Sequence, residues 1–206
     1  MHLSDFDYEL PEELIAQHPL ERRDASRMLI LNRQTHTCKD SKFQDFPEYV
    51  DRNDVVVVNN TRVFPARLVG EREPTGGRVE VLLIRELASA TWESLVRPAH
   101  RLKPGSIVHF GAGSLRGEVL DHVSDKGFRR IRFEGDKPFE TLIYDLGQTP
   151  LPPYIKRPSG ASSEDCERYQ TLFARHSGAI AAPALRATES TPAAAARSSA
   201  STTAIV

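Results

Sequence analysis

Between Ala66 and Phe133 turn residues cut the chain into short β-prone runs at near-regular intervals. This punctuation constrains the fold more than any other feature. The runs are Ala66–Glu71, Arg78–Arg85, Thr91–Arg97, Ile107–Phe110, Leu115–His122 and Phe128–Phe133. Between them lie Pro74-Thr75-Gly76-Gly77, Lys103-Pro104-Gly105, Gly111-Ala112-Gly113 and Asp125-Lys126-Gly127. Short strands with glycine and proline turns predict a small antiparallel barrel.

The flanking segments read differently. Pro11–Gln17 has a proline and an acidic pair suited to the first turn of a helix, and His18-Pro19 ends it. Arg27–Leu31 reads as a strand, with turn residues from Asn32 to Thr37, and Phe43–Val50 as a short helix. Asp54-Val55-Val56-Val57-Val58-Asn59 predicts a strand covered on both faces. Lys137–Leu146 predicts a helix with Phe139, Leu142, Ile143 and Leu146 on one face. The stiff loop Pro150-Leu151-Pro152-Pro153-Tyr154 follows, then a helix over Ser163–Ala174. The tail from Ala184 to Val206 holds alanine, serine and threonine, no aromatic residue and few large apolar ones, so it is expected to be disordered.

Composition narrows the function classes. The 206 residues are 39% hydrophobic and 27% charged, enough apolar material for a core. Net charge is -1, so any nucleic-acid contact requires a local basic patch. Most of the positive charge is arginine, whose planar fork suits phosphate; GC-rich coding explains the same bias without a function. Cys38 and Cys166 are too few and too far apart for a disulfide framework or a zinc site, and the seven histidines lack metal-ligand spacing. Met1–Tyr8 is polar and acidic, unlike a signal peptide, and no apolar run reaches the roughly 20 residues that span a bilayer. A cytoplasmic protein with no membrane contact is expected.

Three places carry candidate chemistry. Val57–Leu68 presents Asn59, Asn60, Thr61 and Arg62 where a buried strand would end, with Arg67 close behind. Amides, a hydroxyl and arginines there suit a base edge, a ribose or an anionic group. An Asn-Asn turn closed by its own side chains explains the stretch equally simply. Leu151–Arg157 offers Tyr154 for stacking and Lys156 and Arg157 for phosphate, or else a rigid linker with a solvated cation pair. Two basic runs complete the set. Arg97–Lys103 falls in a loop, and Arg129-Arg130-Ile131-Arg132 lies on a strand, where alternation separates Arg129 from Arg130 and Arg132. Each run reads as phosphate contact or as ordinary surface charge guarding a strand edge. No P-loop, dinucleotide fingerprint or marked acid–base pair is present.

Six blocks in register resemble a known family. They are Phe6–Gln17, Arg23–Leu29, Val58–Leu68, Leu151–Arg157, Tyr169–Ala174 and Gly178–Pro183. In order and spacing they resemble the S-adenosylmethionine:tRNA ribosyltransferase-isomerases of queuosine biosynthesis. The resemblance implies a cytoplasmic tRNA-modifying enzyme with S-adenosylmethionine as co-substrate and no metal. Such an enzyme transfers the ribosyl part of S-adenosylmethionine to 7-aminomethyl-7-deazaguanine at the tRNA wobble position. It isomerises that ribose to give epoxyqueuosine and releases adenine and methionine. The implied fold is an α/β domain interrupted by an inserted small antiparallel β-barrel. The expected organisation is 1–69 for the first α/β segment, 70–148 for the barrel, 149–183 for the second segment and 184–206 for a tail, in a monomer. Substrate-contact candidates are Asn59, Asn60, Thr61, Arg62 and Arg67, with Tyr154 and Arg157 as tRNA or nucleotide contacts; the catalytic base is unassigned.

After Pro183 the resemblance stops: the family's later motifs have no counterpart in 184–206. An out-of-frame reading of GC-rich DNA produces a tail of this composition, as does a genuinely short protein. Either way the α/β domain is expected to be incomplete and the chain inactive as a transferase. The alternatives are a non-catalytic RNA-binding barrel module and a nonfunctional frameshifted remnant.

Overall fold

The computed structural model describes residues 2–122, 127–179 and 203–205. The chain divides into two compact units, Asn60–Pro183 and Met1–Asn59 with Ala184–Val206.

The larger unit is built on a closed antiparallel barrel of six strands, in the order β4-β5-β6-β9-β8-β7. These are β4 (Arg67–Arg72), β5 (Gly77–Ala88), β6 (Thr91–Arg97), β7 (Ile107–Phe110), β8 (Leu115–His122) and β9 (Phe128–Gly135). The expected barrel is present, with every strand at its expected place. Successive side chains alternate between the inside and the outside of the wall. Leu68, Val79, Val81, Leu83, Val96, Val108, Phe110, Val119, Ile131 and Phe133 therefore fill the interior. On β9 the alternation turns Arg129 inward, where it is 4% exposed, and leaves Arg130 and Arg132 outside. Closure pairs β4 with β7, with Gly70 opposite Phe110. A Cβ on Gly70 would collide with the His109 carbonyl and the Phe110 ring, so only glycine lets the two strands meet.

Helix α1 (Phe139–Leu146) starts after Pro138, two residues later than the pattern suggested. It lays Leu142 and Ile143 into the barrel's core, with Phe139 and Leu146 against the same cluster. Phe139 stacks on Phe133 at 4.7 Å and lies 6.1 Å from Trp92, whose ring is 5.8 Å from Phe64. A two-stranded parallel pair completes this unit: β3 (Thr61–Val63) beside β10 (His176–Ala179). Helix α2 covers only Ser163–Arg168, half the expected length. Tyr169 leaves the helical region, with ψ at 39°.

In the smaller unit β1 (Arg27–Asn32) pairs antiparallel with β2 (Thr37–Lys42). The Asn32 side chain accepts the N–H groups of Gln34 and Thr35, closing the turn. Met28 and Ile30 are buried on one face of β1, while Leu29 and Leu31 are exposed on the other. Pro11–Gln17 contributes only a 3-10 turn at Glu12–Leu14, and Phe43–Tyr49 is 3-10 rather than α-helical. The expectation for the tail falls outside the described residues except at Thr203–Ile205, where β11 runs antiparallel to β1.

The strand expected at Asp54–Asn59 is absent. The segment has no strand pairing, and Val55, Val56, Val57 and Val58 are 63%, 43%, 44% and 39% exposed. Valine's β-preference reflects packing on a pleated surface, and no strand among the described residues supplies that surface here. The first paired residues come later, at β3.

Gly70→Ala is expected to destabilise the barrel by about 2–3 kcal/mol through overpacking at the closure. Trp92 is the sole tryptophan and packs with barrel aromatics, so its fluorescence in a denaturant titration reports this unit. The midpoint should fall with the slope unchanged.

Candidate functional site

The proline-rich segment after α1 folds back across the outside of the barrel. Its start is tied to β4 by two backbone hydrogen bonds: Arg67 N–H to Gln148 at 3.2 Å, and Gln148 N–H to the Arg67 carbonyl at 2.8 Å. Gly147 permits the approach, since a Cβ there would strike the Pro65 and Ile143 carbonyls. The prolines limit the loop's conformations, and the Ile155 N–H bonds the Pro152 carbonyl at 3.0 Å. The Thr149 hydroxyl is 2.9 Å from the Cys166 sulfur on α2.

Beneath this loop lies a cavity of about 430 Å³. Its floor is the outer wall of the barrel: Arg67 from β4, Glu80 and Leu82 from β5, Leu95 and Arg97 from β6. Pro152, Pro153, Ile155, Lys156 and Arg157 come from the loop. Register explains the grouping, because Arg67 stands opposite Leu82, Leu82 opposite Leu95, and Glu80 opposite Arg97. Each is the outward neighbour of a core residue. Arg67 bonds Glu80 at 2.8 Å, with both side chains about one-third exposed. The cavity thus combines apolar walls with four cationic side chains and one carboxylate. Such a lining suits a group with an apolar or aromatic body and negative charge at its edge.

Arg157 is held by α2. Its guanidinium bonds Asp165 through Nε at 2.9 Å and Nη2 at 3.0 Å. Asp165 Oδ2, the oxygen that Nε reaches, also takes the Ser162 N–H at 2.9 Å and the Ser162 hydroxyl at 3.0 Å, while Ser162 caps the helix through the Asp165 N–H. The Arg157 guanidinium drives the Asp165 carboxyl down to about 2; burial opposes this, and the Ser162 bonds assist it. Arg157 binds its own proton more tightly in return. Arg157 therefore fixes the end of the loop where it lines the cavity, and its Nη1 bonds the Lys156 carbonyl at 3.1 Å.

The other expected site residues do not line this cavity. Asn60, Thr61 and Arg62 lie at β3, away from the cavity lining; the Asn60 carbonyl accepts the N–H groups of Arg175 at 2.7 Å and His176 at 3.1 Å. Asn59 is exposed. Tyr154 is 54% exposed and does not line the cavity. Arg67 and Arg157 are thus brought together, 90 residues apart in sequence.

A family described as "Queuosine biosynthesis protein" matches residues 3–197. The chain belongs to the queuosine biosynthesis family. Among its relatives, S-adenosylmethionine:tRNA ribosyltransferase-isomerases from Desulforamulus reducens and Symbiobacterium thermophilum are 46% and 49% identical over 183 residues. Each alignment covers 89% of this chain and 52% of the relative. The chain therefore spans about half the length of the curated relatives it matches. A solved S-adenosylmethionine tRNA ribosyltransferase from Thermotoga maritima is 34% identical, with 80% of this chain and 53% of that chain covered and a TM-score of 0.34.

Two residues that hold this geometry were not singled out in the sequence. Glu80, which neutralises Arg67, was legible only as one more outward position on an expected strand. Gln170 bonds the Val63 N–H at 2.8 Å and the Val63 carbonyl at 2.9 Å, acting as a one-residue partner strand for β3. Its signal was confined to the block Tyr169–Ala174. Asp165 was more accessible, since Ser162 followed by an acid three residues later is a capping pattern.

The clamp predicts a pH dependence. A carboxylate with a lowered pKa stabilises the folded state at any pH above its ordinary value of 3.8. That contribution is lost as pH falls through about 2. In a carbon-13 titration of the side-chain carboxyls, Asp165 should titrate near 2, and Arg157→Gln should return it towards 3.8. An unchanged midpoint would remove Arg157 as the cause.

Proposed function

We propose that this chain forms the barrel-bearing part of an S-adenosylmethionine:tRNA ribosyltransferase-isomerase and that the cavity under the proline loop takes a nucleotide portion of its substrates. The observation that carries the reading is the 44–49% identity to proteins of that name, sustained over 183 residues. This stretch includes the whole barrel and every residue lining the cavity. The cavity is of a size suited to a small ligand, and its cations are of the kind that hold phosphate or carboxylate. Asn59, Asn60, Thr61, Arg62 and Tyr154 are further contacts for the tRNA or for S-adenosylmethionine in this reading.

The chemistry asks little of a metal. The positive sulfur of S-adenosylmethionine acidifies an adjacent C–H bond, so a base of moderate strength can remove that proton. The resulting ylide rearranges with expulsion of adenine. The exocyclic amine of 7-aminomethyl-7-deazaguanine then attacks the ribosyl fragment, and closure to epoxyqueuosine releases methionine. The tRNA delivers that amine at its wobble position, and S-adenosylmethionine is consumed as a co-substrate. The protein acts in this reading as a cytoplasmic monomer. The 206-residue polypeptide alone supplies the contacts described above and is not sufficient for turnover.

A chimera tests this reading. Residues 1–183 replace the matching half of the Symbiobacterium thermophilum relative, and adenine release is followed with precursor tRNA carrying 7-aminomethyl-7-deazaguanine. The chimera should release adenine in proportion to modified tRNA, and the 206-residue chain none. A folded chimera without turnover would overturn the enzymatic reading. Turnover by the short chain would overturn its insufficiency.

A further inference from the structure

The two basic runs of the barrel have opposite fates. On β9, Arg130 pairs with Asp121 at 3.2 Å, and Arg132 pairs with Glu118 at 2.9 Å. Arg116 on the neighbouring strand faces Glu134 at 3.5 Å. That surface is a lattice of alternating charges and has little net field. The loop Pro98–Ser106 is different. His100, Arg101 and Lys103 are exposed and have no ion pair among the described residues. Arg97 precedes them at the cavity, opposite Glu80.

The backbone of this loop is held by hydrogen bonds to its carbonyls. The Arg129 guanidinium, buried in the barrel, bonds the Leu102 carbonyl through Nε and the Ala99 carbonyl through Nη2, each at 2.9 Å. Arg72 on β4 bonds the Arg101 carbonyl at 2.9 Å and braces itself on the Thr75 hydroxyl at 3.0 Å. The Pro98 carbonyl takes the Arg101 N–H at 3.3 Å, and the Lys103 carbonyl takes the Ser106 N–H at 2.9 Å. Leu102 is fully buried and anchors the centre. Five carbonyls are therefore occupied by donors of the barrel or of the loop itself. The outer face retains the basic side chains of His100, Arg101 and Lys103, on a backbone already ordered before any partner arrives. Pre-ordering reduces the entropic cost of binding, and a face with many donors and few free acceptors selects a polyanion.

We propose that the loop Ala99–Lys103 is a docking surface for the phosphodiester backbone of RNA, separate from the cavity under the proline loop. The choice of RNA among polyanions rests on the tRNA-modifying reading above. Arg129 and Arg72 are positioning residues in this scheme: they touch the loop's carbonyls and leave phosphate to Arg101 and Lys103. Contacts to phosphate carry no base information, so the loop sets register and orientation rather than sequence.

The test uses the full 206-residue chain and an unmodified tRNA transcript, with affinity measured across a salt series. Arg101→Gln/Lys103→Gln is compared with Arg130→Gln/Arg132→Gln, which removes the same formal charge from the ion-paired face. The loop variant should weaken binding and lower the slope of log affinity against log salt by about two units, one per lost phosphate contact. The β9 variant should retain the wild-type slope. Equal losses in both variants would mean diffuse attraction only and overturn the docking loop. So would an unchanged loop variant, a wild-type chain that does not bind the transcript, or loop-dependent binding to phosphatidylserine vesicles in place of RNA. Adenine release by the chimera is read separately at saturating tRNA. Turnover with an unchanged loop variant sinks the docking surface alone. Loop-dependent RNA binding without turnover sinks the enzymatic reading alone.

Discussion

Barrel closure depends on the meeting of β4 and β7 at Gly70 and Phe110. A six-stranded sheet left open would expose two unpaired edges and half of its apolar interior. Closing it places Phe110 against Gly117 and Phe133 and gives every interior residue a partner across the core. The same closure fixes which side chains lie outside. Because Val79, Val81 and Leu83 must point inward, Glu80 and Leu82 must point outward, and the register with β4 and β6 brings Arg67, Leu95 and Arg97 beside them. The cavity floor is thus a geometric consequence of a well-packed interior. Nothing beyond strand alternation is needed to assemble it.

What was legible in the sequence follows from the range of each interaction. Turn chemistry and period-two alternation are local, so the six barrel strands and the separation of Arg129 from Arg130 and Arg132 could be read directly. The apolar face of α1 was legible for the same reason. Val55–Val58 was not, because a strand is a pairwise object: the residues carry the propensity, but the partner lies elsewhere or nowhere. The segments 11–17 and 43–50 have helix-start features but tighten only to 3-10 turns, and Pro47 within the second denies the chain one N–H donor. At the site, Arg67 and Arg157 were marked by side-chain chemistry and by their place in the blocks Val58–Leu68 and Leu151–Arg157. Their common cavity arises from the Gln148–Arg67 bridge, a long-range contact without a local signature, and from the Asp165 clamp, of which the sequence marks only the Ser162–Asp165 capping pattern.

The arginines also show how one residue type is divided among roles by its surroundings. Arg129 is inside the wall and serves carbonyls; Arg157 is locked to a carboxylate; Arg130 and Arg132 are neutralised on the surface; Arg101 has no acidic partner among the described residues. A net charge of -1 conceals this arrangement entirely. Surface pairs of the β9 type contribute little to stability, about 0–1 kcal/mol each. Their stronger effect is to flatten the local potential, which sets the β9 face in contrast to the loop.

Cavity and loop are linked through two strands. β6 contributes Leu95 and Arg97 to the cavity floor, and its C-terminal end runs directly into Pro98 and Ala99. β4 has the same dual role, with Arg67 at the cavity and Arg72 bracing the Arg101 carbonyl. Both strands are fixed by barrel register, so the distance from the cavity to the loop is set by backbone that cannot slide without inverting the core. A polyanion seated on the loop would therefore meet the cavity at a fixed offset. Orientation comes from the scaffold, and the substrate need not be ordered by the cavity itself. On this view the barrel is a rigid spacer between a contact that positions and a cavity that selects.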